Sequence, residues 1–280
     1  MPGKLYICAT PIGNLEDITF RVIDCLKNVD LIAAEDTRHT LGLLNHYGIK
    51  AALTSYHEHN KYEKAEELVA KLIAGTDIAL VTDAGTPGIS DPGEVLVKRC
   101  REEGIPVTSL PGASAVITAL SMSGLPSRRF FFEGFLPADK KERAEDLEKL
   151  SSETATIVIY EAPHRIQKTL KDISSALGNR NIRICRELTK IHEEVLALTV
   201  DEAIHLYETE DAKGEMVILI EGADKAALKA DAEAEWKKMS VAEHVKLYTD
   251  KGMSEKEAMK LAAADRGISK REIYDELKVK

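Results

Sequence analysis

The chain has 280 residues, 44% hydrophobic and 30% charged, with a net charge of −9. That length calls for two or three domains of ordinary globular composition. Apolar runs no longer than a strand exclude a membrane-spanning helix, and the acidic balance disfavours nonspecific nucleic-acid binding.

Met1-Pro2-Gly3-Lys4 leads straight into a strand pattern, without the apolar stretch and cleavage site of a signal peptide. The predicted strands at 5–9, 31–34, 52–54, 78–81 and 107–110 alternate with helical patterns at 20–27, 39–46, 62–74 and 94–103. This order predicts an αβα layer around a mostly parallel sheet. Pro111-Gly112-Ala113-Ser114 breaks the chain and opens a helix of small and apolar residues over 115–123. After Gly124-Leu125-Pro126 the pattern restarts, with strands at 129–135, 156–160, 182–187, 195–199 and 216–220 and helices at 140–150 and 165–177. The last strands have little helix between them, so this second sheet is expected to be mixed. From Ala223 onward no strand pattern remains. Helices at 241–251, 254–265 and 269–278, two of them opened by the capping boxes Ser254…Glu257 and Ser269…Glu272, read as a small helix-turn-helix-like extension. The expected domains are 1–116, 117–222 and 223–280. The four cysteines (Cys8, Cys25, Cys100 and Cys185) are scattered, which points to reduced cytoplasmic thiols.

The most informative stretch is Asp83-Ala-Gly-Thr-Pro-Gly-Ile-Ser-Asp-Pro-Gly93, between a buried strand and a helix. Open α/β sheets bind ligands at such strand ends. With Asp83 and Asp91, and no Lys or Arg from Asp77 to Val97, it suits a cation better than a phosphate. Ser90 or Asp91 could instead simply cap the next helix, with Pro92 in its first turn. Two more turns, Thr10-Pro11-Ile12-Gly13-Asn14 and Pro111–Ala115, should share that sheet edge. Neither a P-loop nor a Gly-x-Gly-x-x-Gly fingerprint is present. His57-Glu58-His59 lacks the companions of a zinc set, so no metal is expected. Glu35-Asp36-Thr37-Arg38 reads as a helix cap with an ion pair, and 161–165 as a helix start containing Pro163.

Taken together, ATPIGNLEDIT (9–19), AEDTR (34–38), SYHEHN (55–60), VTDAGTPGISDPG (81–93), LPGASA (110–115), RFFFEGFLP (129–137), YEAPHR (160–165), RELTKIHEE (186–194) and GEMVILIEG (214–222) resemble the tetrapyrrole methylase superfamily. Within it they resemble the bacterial small-subunit ribosomal RNA 2′-O-ribose methyltransferase I group. Ala113 stands where relatives often carry proline. The resemblance implies two αβα domains with S-adenosylmethionine in the cleft between them, usually in a homodimer. It implies donor contacts at Pro11, Ile12, Gly13, Asp83, Gly85, Thr86, Pro87, Gly88, Ile89, Ser114, Ala115, Ala162, Leu188, Gly214 and Glu215. The implied acceptor is a cytidine ribose in the decoding region of ribosomal RNA in the small ribosomal subunit.

In-line methyl transfer from a sulfonium to a 2′-oxygen calls for alignment in a water-poor cleft. A proton acceptor would add ~10²–10⁴-fold, and the candidates are His57, Glu58, His59 and Glu187. Arg38, Arg128, Arg129, Lys140, Arg165 and Lys190 are candidate RNA-phosphate contacts. The rival readings are methylation of a corrin or porphyrin precursor or of a modified protein residue, and a non-catalytic RNA-binding assembly factor.

Overall fold

A computed structural model describing residues 1–278 turns the first half into a sheet of five strands. These are β1 (Leu5–Cys8), β2 (Leu31–Ala34), β3 (Leu53–Ser55), β4 (Ile78–Val81) and β5 (Val107–Leu110), in the order β3-β2-β4-β1-β5. Every pairing is parallel. All four residues of β4 (Ile-Ala-Leu-Val) are buried, as a central strand covered on both faces requires. The helices are α1 (Phe20–Asn28), α2 (Thr37–His46), α3 (Lys61–Ile73), α4 (Glu94–Glu102) and α5 (Ala115–Ser123). Side-chain alternation sends Leu5, Ile7, Ile78 and Leu80 towards α3 and α4, while Cys8, Ile32, Ala79 and Val81 meet α1 and α2.

That division positions the site. β1 and β4 lie side by side, yet β1 hands the chain to α1 on one face and β4 hands it to α4 on the other. Their C-terminal loops therefore part, and the crevice between them is the topological switch point where such sheets bind ligands.

The second sheet contains β6 (Phe130–Phe135), β7 (Thr156–Glu161), β8 (Asn181–Arg186), β9 (Glu194–Thr199) and β10 (Met216–Ile220), ordered β6-β7-β10-β8-β9. β6 and β7 are parallel and the other pairs antiparallel, so the sheet is mixed as expected. α6 (Lys140–Leu150), α7 (Ile166–Leu177) and α8 (Val200–Thr209) cover Ile157, Ile159, Ile184 and Ile218. α5 covers the other face through Val116, Ala119 and Leu120, against Val158, Cys185, Val217 and Leu219. Buried positions spaced by three and four along α5 are those of one helical face, and they join the second sheet to the end of the first.

Both sheets belong to one compact unit, residues 1–150 and 155–221. The other unit comprises Ser151–Thr154 and the segment from Gly222 onward. It holds α9 (Lys225–Lys238), α10 (Val241–Asp250), α11 (Glu255–Arg266) and α12 (Lys270–Lys278), with its own core of Val241, Val245, Ala258, Ala262, Ala263 and Ile273. The Ser254…Glu257 box forms, and the Glu272 N–H donates to Ser269 Oγ at 3.2 Å.

Four expectations need correction. α9 precedes the three anticipated tail helices; its Ala/Lys/Glu sequence has no apolar stripe to betray it. α8 directly follows β9, in a stretch where the sequence pattern predicts no helix, although Thr199 and Glu202 form a capping box. Neither Ser90 nor Asp91 caps α4: Gly93 does, without a side-chain bond, and Pro163 lies ahead of α7, whose cap is Arg165. Among the described residues no helix is long and apolar enough to cross a membrane.

Candidate active site

The three glycine- and proline-rich turns meet. Thr10 and Gly85 form an isolated antiparallel bridge, with Thr10 N–H donating to the Gly85 carbonyl at 2.8 Å and Gly85 N–H returning a bond at 3.1 Å. The Thr10 hydroxyl also donates to the Thr82 carbonyl at 3.0 Å. The Thr86 hydroxyl donates to the Ala113 carbonyl at 3.1 Å, tying in the turn after β5. A Cβ on Gly112 would stand 2.8 Å from the Ala9 Cβ, so only glycine lets that turn approach β1 so closely.

The second sheet closes the crevice with the turn after β8. A Cβ on Gly13 would lie 2.7 Å from Lys190 Cγ and 2.8 Å from the Leu188 carbonyl oxygen. Glu187 (φ 51°) and Thr189 (φ 66°) hold this turn in the left-handed region, and Ser90 (φ 63°) does the same in the facing loop. These are the three non-glycine residues of positive φ among the described residues. Such backbone costs roughly 1–3 kcal/mol each and clusters at functional sites.

Between the turns lies a cavity of about 520 Å³, in the range of small-molecule and cofactor sites. Glu35, Asp83, Asp91, Glu187 and Glu215 supply carboxylates to its wall, against one cation, Lys190. The Lys190 ammonium donates to Glu187 Oε1 at 3.0 Å. Glu35 accepts the Thr82 hydroxyl, and Asp83 Oδ1 accepts the Asp36 N–H at 3.1 Å. Burial pushes the Asp83 carboxyl up, with that N–H opposing. Asp91 is pushed up to about 7, first by burial, then by the field of Glu35, with smaller pushes from Asp83 and Glu215; the Thr82 hydroxyl pulls the other way. Crowded carboxylates without enough countercharge destabilise one another's ionised forms, and a cationic ligand removes that conflict. Tyr160 and Cys185, pushed up by burial to about 12 and about 11, are neutral parts of the wall.

The cavity wall includes Ile12, Asp83, Gly85, Thr86, Ile89, Ser114, Ala115, Leu188, Glu215, Glu187 and Lys190. Pro11, Gly13, Pro87, Gly88, Ala162 and Gly214 are not among the residues that line it. Of these, Gly13 and Gly214 (φ 71°) act by contact, the latter against the Glu187 carboxylate. His57, Glu58 and His59 do not line the cavity; the two imidazoles meet edge to face with centroids 6.0 Å apart, and Glu58 pairs with Lys61. Arg38 pairs at 2.8 Å with Asp36, the residue that caps α2, and Arg128, Arg129 and Lys140 are exposed. Arg165 is committed inward, donating to the Leu136 carbonyl at 2.7 Å and pairing with the buried Glu161 at 3.3 Å. Tyr160, Cys185, Met216 and Val217 were not anticipated as lining residues, because they sit within strands.

An acidic crevice at the switch point of one sheet, walled by a second, suits a small cationic ligand in shape and charge. The family model of Tetrapyrrole (Corrin/Porphyrin) Methylases matches residues 4–204. The chain is 50% identical over 273 residues to the Ribosomal RNA small subunit methyltransferase I of Halalkalibacterium halodurans, covering 98% of this chain and 94% of that one. It is 47% identical to the protein of the same name from Bacillus subtilis, over 99% and 95% of the two chains. In fold it is similar to the Thermus thermophilus uroporphyrin-III C-methyltransferase solved with S-adenosyl homocysteine. That likeness has a TM-score of 0.56 at 18% identity, over 78% of this chain and 97% of that one. The chain belongs to the tetrapyrrole methylase family, and its chemistry is methyl transfer.

Proposed function

We propose that this methyltransferase uses S-adenosylmethionine to methylate small-subunit ribosomal RNA, at the 2′-oxygen of a cytidine ribose in the decoding region. The carrying observation is the crevice: three bends of the first sheet and one of the second enclose about 520 Å³ lined by five carboxylates. The names of the relatives that align along nearly the whole chain favour RNA over a macrocycle as acceptor.

The donor supplies an electrophilic methyl on a positively charged sulfur. Asp83, Asp91 and Glu215 offset that charge and the donor's α-amino group, while the Gly85–Ile89 backbone, Ile12, Ser114-Ala115 and Leu188 give it shape. Pro11, Gly13, Pro87, Gly88, Ala162 and Gly214 support those walls. Glu187 is the one member of the anticipated proton-acceptor set that reaches the cavity wall, with Lys190 steadying its Oε1. We assign it the 2′-hydroxyl proton. Arg38, Arg128, Arg129 and Lys140 are exposed and suit phosphate contact, whereas Arg165 holds the fold. A homodimer in the cytoplasm completes the reading; Ile117 (56% exposed) and Met122 (42%) on α5 are apolar surface that a second copy would cover.

The test is transfer of tritiated methyl to small subunits lacking the modification, with mapping of the product to ribose or base. Label on a cytidine 2′-oxygen is expected. Glu187→Gln should lower kcat by about 10²-fold or more while donor affinity, read by calorimetry, holds. Label on a base, or on a macrocycle alone, would sink the assignment.

A further inference from the structure

Phe135 is the last residue of β6 and has no apparent reason to face the crevice. Side chains along a strand alternate, so residues three apart face opposite ways. Phe132 and Phe135 nevertheless share a face. Phe132 is in register with Val158, Gly134 with Ile159 and Phe135 with Tyr160, leaving Glu133 as an extra residue. This is a β-bulge, with Gly134 in the left-handed region at φ 76°, the kind that re-aims side chains beside active sites. Without it Phe135 would point to the α6–α8 side. With it, Phe132 and Phe135 both pack on the Tyr160 ring, at centroid distances of 5.1 and 5.4 Å. A Cβ on Gly134 would come within 2.7 Å of Ser90 Oγ, so the bulge is also seated against the acidic loop, beside one of its strained residues.

The outcome is an aromatic ring in the cavity wall, propped by Tyr160, yet 45% exposed. A core phenylalanine would be covered, and a surface one would have no propping ring. We infer that Phe135 is a stacking platform for an unpaired nucleobase of the RNA, holding the target nucleotide so that its ribose reaches the crevice. Every base has a π face, so such a platform takes single-stranded RNA whatever its sequence, and a propped ring loses little freedom when a base settles on it. The inference rests on the RNA reading above and adds that the acceptor enters splayed out of any helix, as sequence-specific RNA recognition generally requires.

Phe135→Ala, Phe135→Tyr and Phe135→Trp in the full chain test this, with donor affinity by calorimetry and steady-state transfer to unmodified small subunits. Phe135→Ala is expected to lower kcat/KM for subunits by roughly 5- to 150-fold, the range of one lost base–aromatic stack, through KM more than kcat. Donor affinity and melting temperature should hold, and Tyr or Trp should restore most of the loss. Unchanged kcat/KM in Phe135→Ala would overturn the inference. So would an equal loss of donor affinity, because the ring would then serve the donor's own adenine. A wild-type protein that binds donor but labels no RNA would remove the underlying reading as well, and that result is read without any variant.

Discussion

Asp91 shows how one residue can couple the crevice to pH. Its carboxyl titrates near 7, held there by burial and by Glu35, Asp83 and Glu215, with the Thr82 hydroxyl opposing. An unfolded aspartate titrates near ~3.9. Between those values the folded protein keeps a proton that the unfolded chain releases, so Asp91's contribution to stability is full below about pH 4. It is lost as pH rises through about 7 and is flat above. A cationic donor prefers the ionised form, so donor affinity should run the other way and tighten from pH 6 to pH 8. Asp91→Asn keeps a polar group beside Thr82 but cannot ionise. It should melt higher than wild type at pH 8 and match it only near pH 4, where neither the folded nor the unfolded aspartate has largely ionised. Its donor affinity should be weaker at pH 8 and show a shallower pH slope. Calorimetry and melting at the three pH values check both signs, and an unaltered slope in the variant would remove Asp91 from the linkage.

At the scale of elements, the site depends on loops that touch. Gly13 is the clearest case, because the carbonyl oxygen of Leu188 stands 2.8 Å from where its Cβ would be, and backbone yields less readily than a side-chain tip. Gly13→Ala should push the turn after β1 away from the turn after β8 at a cost of about 1–3 kcal/mol, the usual range for overpacking. A lower melting temperature and a markedly weaker donor affinity are expected together; unchanged donor binding would show that the two turns close independently. The bends themselves were legible in the amino-acid sequence, since glycine and proline between an apolar strand and a helix have few other uses, and the acidic character of 83–93 could be read directly. The opposite wall was not. Tyr160, Cys185 and Val217 look like any alternating strand residues, and they reach the cavity because the face they share with Val158 is the one α5 covers. The aim of Phe135 depends on a one-residue register shift that no periodicity displays. Arg165 read as a surface cation because the carbonyl of Leu136, 29 residues away, is invisible along the chain.

The molecule as a whole poses an electrostatic problem for an RNA-acting enzyme. Its net charge is −9, and residues 225–280 carry 13 Lys/Arg against 11 Asp/Glu, so the remainder stands near −11. A polyanion approaching an acidic crevice on an acidic body is repelled, and favourable encounter must come from local cations. Arg128, Arg129 and Lys140 are exposed on the larger unit. The smaller unit has its own apolar core and capped helices; with Glu153 and Asp224 counted, its Lys/Arg and Asp/Glu balance, which makes it a better electrostatic match for RNA in net charge than the acidic larger unit. A chain ending at Gly222 keeps every residue of the cavity wall, so it should bind donor as the full chain does. Its KM for small subunits should rise several-fold, and the dependence of log KM on log salt should flatten, because fewer phosphates are neutralised. Equal KM and equal salt slope in the two forms would assign the helical unit a role other than RNA contact, and would leave the exposed arginines of the larger unit to carry the encounter.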